Sequence, residues 1–198
     1  MYNVKEIIAP SLKYAGSYCF HNCSSLQKVN LNDLLYAGTD CFYDCSSLKE
    51  ISLPNVLEID TYCFERCTNL EKVELPKIKE IPYRSFYDCE NLKEADFSNI
   101  EKIGNDAFYD ACTYSDETHF SFPKVKEIGT YCFYRCYDLV TCELPELEAI
   151  PSRSFYCCWK LKKLDCPKVT TISGGYSIYE AKEVEEILLP NLTSISGK

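Results

Sequence analysis

Fourteen cysteines in a chain of 198 residues raise metal and disulfide chemistry first. Structural zinc needs four converging Cys or His ligands, and a disulfide needs its two Cα atoms within about 7 Å. The cysteines fall into columns rather than clusters. Cys19, Cys41, Cys63 and Cys132 each stand just before a phenylalanine, and Cys23, Cys45, Cys67, Cys89, Cys136 and Cys158 each stand three after one. The C-x-x-x-C pairs would put two thiols on one face of a helical turn, beside a buried ring. Stacked thiols of neighbouring coils would have Cα atoms ~5 Å apart, within disulfide reach, but with parallel side chains. Cys142 and Cys166 replace aliphatic residues. Free buried thiols acting as small hydrophobes are the favoured reading. Disulfides and a metal site stay open as alternatives, and with them a thiol-based redox or metal-binding protein. Cys112 stands off register, and Cys157, beside Cys158, is expected to be exposed.

The other groups suited to chemistry are sparse. His21 and His119 are the two histidines, roughly four coils apart, so they share no site. G-x-S-x-G, H-E-x-x-H and phosphate-loop patterns do not occur. Stacking could bring Glu74 beside Asp96, but exposed carboxylates among like charges are poor acid–base catalysts. We read neither an enzyme nor a cofactor here.

What positions the cysteines is a repeat. Phe20, Phe42, Phe64, Phe86, Phe108, Phe133 and Phe155 recur every 22 residues, with one spacing of 25, and Ile178 is a degenerate eighth anchor. Six residues after the anchors come Leu26, Leu48, Leu70, Leu92, Leu139, Leu161 and Val184; eleven after come Leu31, Leu53, Leu75, Phe97, Leu144, Cys166 and Leu189. L-x-x-I-x-L-P reads as a short strand with alternate residues inward, ended by a proline that lacks an N–H. Gly104, Gly129, Pro82 and Pro151 mark a turn after the next isoleucine. The anchor segment fits one short helical or 3-10 turn. One coil cannot bury its own apolar edge, so stability must come from stacking. The predicted fold is therefore an α/β repeat: a right-handed solenoid of about nine coils of ~22 residues, with one parallel sheet on one face and helical or 3-10 turns on the other. It is read as a single array over residues 1–198. A parallel β-helix is the alternative fold.

The segment LKEISLPNVLEIDTYCFERCTNL, residues 48–70, resembles the BspA-like (Treponema-type) leucine-rich repeats nearly position for position. The resemblance implies a cell-surface or secreted protein acting in adhesion to proteins or other cells, with no catalytic residues to carry over. The fifth coil departs from the pattern with extra residues near Tyr114 to Thr118, as does the last anchor, after Gly174 and Gly175. Free thiols fit poorly with an oxidising exterior, which an anaerobic habitat would resolve. A cytoplasmic location stays open.

Two surfaces are candidates for binding a protein or glycan ligand. On the sheet face, Lys28, Glu50, Lys72 and Glu94 alternate in sign, with Lys163 in the same column. Asn30, Ser52, Glu74, Asp96, Glu143 and Asp165 form a polar, mainly acidic column beside them. The plain reading is a solvated charge ladder worth a few tenths of a kcal/mol per pair. On the opposite, convex face, Tyr43, Tyr87, Tyr109, Tyr134 and Tyr156 follow their anchors. Tyrosine is enriched at interfaces, but these rings would also cover the outside of the phenylalanines.

The net charge of −9 argues against nucleic acid and against polybasic membrane contact. No apolar stretch nears the ~20 residues of a membrane span, and no signal peptide is visible. The array begins and stops at strands without a polar cap. That suggests a fragment of a longer surface protein, or a structural spacer whose coils pack end to end.

Overall fold

A computed structural model describes residues 3–196. Each coil contributes two short parallel strands, not one. The first set comprises Glu6–Ile8, Lys28–Asn30, Glu50–Ser52, Lys72–Glu74, Glu94–Asp96, Thr118–Ser121, Leu139–Glu143, Lys163–Asp165 and Glu186–Leu188. The second follows eight or so residues later in each coil, as in Tyr36–Ala37, Glu58–Ile59, Glu80–Ile81 and Lys102–Ile103. Pairing is parallel and one coil apart: Glu50 faces Lys72, Ile51 faces Val73 and Ser52 faces Glu74. The result is a parallel-strand β-solenoid of about nine turns.

The expected helical face is absent among the described residues, where the anchor segments form turns. The reason is a pair of left-handed residues in every anchor segment, two before and two after the anchor. Asp40 (φ 54) and Asp44 (φ 53) flank Phe42; Arg84 (φ 54) and Asp88 (φ 56) flank Phe86; Arg153 (φ 55) and Cys157 (φ 59) flank Phe155. Cys41 N–H bonds Gly38 O at 3.1 Å and Cys45 N–H bonds Phe42 O at 3.2 Å. Each such turn has its third residue at positive φ, the type II signature. A helix would turn these N–H groups onto its own chain. Here alternate ones point to the next coil instead: Asp40, Phe42 and Asp44 donate to the carbonyls of Thr61, Cys63 and Glu65 at 3.1, 2.8 and 2.8 Å. The turn side is thus hydrogen-bonded from coil to coil, much as the sheets are.

The core is a stack. Consecutive anchor rings from Phe20 to Phe155 lie 5.2–5.4 Å apart at their centroids. Each fully buried ring contributes roughly 1.5–3 kcal/mol by transfer. The long fifth coil is absorbed in two ways. Phe97, Phe120 and Phe122 thicken the core beside Phe108. The hydroxyls of buried Ser115 and Thr118 meet at 2.6 Å, and Thr118 Oγ1 donates to Leu92 O at 3.1 Å. In the last coil the core columns open: Ile187 is 41% exposed and Ile195 68%.

Candidate functional site

The cysteine columns run inside the coil stack. In five coils the thiol three after the anchor donates to the carbonyl of the anchor one coil earlier. Cys45 reaches Phe20 O at 3.3 Å, Cys67 reaches Phe42 O at 3.2 Å, Cys89 reaches Phe64 O at 3.2 Å, Cys136 reaches Phe108 O at 3.0 Å and Cys158 reaches Phe133 O at 3.1 Å. Burial pushes the Cys67, Cys89, Cys136 and Cys158 thiols well above their ordinary range, opposite to an activated thiolate. Cys157 is buried rather than exposed, because its thiol packs toward Glu180 Oε2 at 3.3 Å. Off-register Cys112 is buried as well.

On the sheet face the charges largely answer one another. Lys28 pairs with Glu6 of the preceding coil at 3.0 Å, and Lys163 lies 3.7 Å from Asp165 and 3.6 Å from Glu186. Lys72 stands in register between Glu50 and Glu94 but turns to Glu74 of its own strand at 3.0 Å, and that partner holds the Glu74 carboxyl below its usual range. Asp96 is lowered by hydrogen bonds from Ser98. Ser52 and Glu143 are exposed, and Asn30 keeps an amide oxygen buried without a partner. A shallow groove of about 650 Å³ runs over Lys49, Glu50, Glu71, Lys72, Lys93 and Glu94.

The turn face is aromatic. Tyr87, Tyr109, Tyr134 and Tyr156 stack coil on coil at 4.7, 4.5 and 4.8 Å, and Tyr43 stacks on His21 at 4.8 Å. These ring faces are spent on each other. Burial raises the Tyr109 hydroxyl to about 12. Between Tyr43 and Tyr87 the column is broken by Glu65, 6% exposed, whose Oε2 has no hydrogen-bond partner. Arg84 fills the rung. Its guanidinium lies over the Tyr87 ring at 3.8 Å, with Nε 3.6 Å from Glu65 Oε2, too long for a hydrogen bond. Desolvation lifts the Glu65 carboxyl to about 7 against the pull of Arg84. Burial likewise lifts Asp110 to about 6, against Arg135 3.5 Å away.

A sequence profile described as the BspA type leucine rich repeat region matches residues 1–115 and 110–198 in six copies. The chain belongs to this BspA-type leucine-rich repeat family. Solved structures agree on the fold. The leucine-rich repeat protein of Treponema pallidum is 24% identical, with a TM-score of 0.70 over 89% of this chain and 86% of that one. A leucine rich cell surface protein of Faecalibacterium prausnitzii is 18% identical, with a TM-score of 0.54 over 98% and 69%. The pneumococcal vaccine antigen PcpA is 19% identical, with a TM-score of 0.53 over 98% and 62%. No curated protein sequence matches the chain. Leucine-rich repeat arrays are in general non-enzymatic scaffolds for protein interaction.

The anticipated residues thus form two separate faces, not one pocket. Sequence reading passed over Glu65, Arg84 and Arg153. Glu65 was visible only as the one acid in a column of rings.

Proposed function

We propose that this BspA-type array is a binding module of a cell-surface or secreted protein and acts in adhesion to proteins or glycans. One observation carries the reading. Thiols and most exposed lysines are engaged within the solenoid, while two regular faces run across successive coils with side chains repeated at ~4.8 Å. Such a surface suits an extended partner better than a small substrate, which needs an enclosed cleft. The likeness to the F. prausnitzii cell surface protein and the pneumococcal vaccine antigen supports a surface location. Beads coated with the chain should adhere to immobilised matrix proteins or cell monolayers and be displaced by soluble chain. Adhesion no greater than that of albumin-coated beads would sink the reading.

A second reading, coils packing end to end, draws on exposed Ile187 and Ile195. It requires a sedimentation coefficient that rises with concentration; a strictly monomeric boundary would remove it.

A further inference from the structure

The turn face holds one arrangement twice. Arg84 lies with its guanidinium 5.9 Å from the centroids of both Tyr62 and Tyr83. Arg153 lies 5.3 Å from Tyr131 and 5.4 Å from Tyr176, and its Nη1 donates to the Tyr131 hydroxyl at 2.8 Å. Both arginines stand two residues before an anchor, in the left-handed region. The local sequences match: TYCFERC and IPYRSFY around the first, TYCFYRC and IPSRSFY around the second. Arg84 and Arg153 are three coils apart, ~14 Å at the spacing of stacked strands.

These cations are under-used. Among the described residues Arg153 makes no ion pair, and Arg84, one face of which is covered by Tyr87, has Glu65 as its one ion-pair partner, at a distance beyond hydrogen bonding. All four arginines of the chain, Arg66, Arg84, Arg135 and Arg153, sit on this face at left-handed positions. A guanidinium offers a planar fork that a carboxylate fits with two parallel hydrogen bonds. Tyrosine rings flank both guanidinium groups, and both arginines are partly buried. A groove of about 390 Å³ adjoins the first cradle through Tyr83; Glu80, Lys102 and Glu127 also line it, and it does not reach Arg153. Beside it the coils pack closely on glycine. A Cβ on Gly104 would come within 2.8 Å of Tyr83 N, and one on Gly129 within 2.3 Å of Asn105 N. Asp106, half-buried, stands in register between the arginines and disfavours further negative charge there.

We propose that Arg84 and Arg153 are paired carboxylate subsites that take an extended acidic peptide lying along the solenoid axis. The proposal deepens the adhesion reading and rests on it. An extended chain covers ~14 Å in four residues at about 3.3–3.6 Å each, so the peptide carries two acidic side chains four residues apart with uncharged residues between. Arg153 is the stronger subsite, since Arg84 has Glu65 beside it where the second cradle has Tyr134.

The test is fluorescence anisotropy with labelled peptides at low salt. A peptide with two Glu four apart should bind. Replacing either Glu by Gln, or spacing them two or six apart, should weaken binding about ten-fold or more. Arg153→Gln should cost more than Arg84→Gln. Arg153→Lys, which keeps the charge but not the fork, should recover only part of the loss, and it serves should the glutamine variant melt early. An unchanged affinity in the double glutamine variant, or binding indifferent to Glu spacing, overturns the proposal. So does binding of an oligogalacturonate where the peptide fails, because the carboxylates would then be a glycan's. If the double variant's beads adhere as wild type while no peptide binds, the subsites fall and the adhesion reading stands. If wild-type beads do not adhere either, both fall.

Discussion

Glu65 shows what a single position can do inside a repeat. Every other mid-array residue directly after an anchor phenylalanine is a tyrosine, and each of those rings covers its neighbour. A carboxylate in that rung has no ring to stack and little water, so Arg84 is drawn into the column instead. The cost appears as a raised pKa, from an ordinary 4.5 to about 7. The folded state therefore prefers the neutral acid. This group's stabilising contribution is present in full below about pH 4.5 and is lost as the pH rises through about 7. Glu65→Gln removes the titration: its melting temperature should exceed wild type at pH 8, by on the order of 2 kcal/mol of stability, and converge with it near pH 4.5. A gain that is equal at both pH values would show that Glu65 is not held in this way. Glu65→Tyr should stabilise at pH 8 as well, by restoring the ring.

At the scale of the coil, the sequence made the phenylalanine, leucine and isoleucine columns plain, because each is apolar and recurs at one period. Phe86, fully buried between Phe64 and Phe108, should lose about 3–5 kcal/mol as Phe86→Ala, visible as a lower midpoint in thermal or urea unfolding. Two features were harder to read. Strands such as Glu58–Ile59 have two residues, too few to show an alternation of period two. The anchor turns hide behind helix-like spacing, since C-F-x-x-C fits a helical face equally well. The signal that separates the two was present: Asn22, Asp40, Asp44, Asp88, Asp106 and Asp110 occupy left-handed positions, where Asn and Asp are enriched. The coil closure also leaves no room at Gly129. Gly129→Ala forces its new methyl into Asn105 and should cost about 1–3 kcal/mol in the same unfolding experiment. A neutral result would mean that the fifth and sixth coils are not packed as closely as described.

Across the whole molecule, side chains are sorted by face. Lysine and glutamate pair along the strands, which keeps an exposed sheet soluble at little cost. Arginine and tyrosine gather on the turns, a composition typical of contact surfaces. Composition alone could not reveal that sorting, because Arg84 and Arg153 are 69 residues apart and become neighbours only when coils stack. The central claim is that the fourteen cysteines are structural residues of a scaffold, most of them buried and six hydrogen-bonded through their thiols, not its chemistry. A native mass spectrum, followed by alkylation in denaturant without reductant, tests it most directly. Fourteen alkylated thiols and the bare mass of the chain are predicted. Fewer alkylated thiols, or added metal mass, would make the cysteine columns a redox or metal centre and contradict the scaffold account.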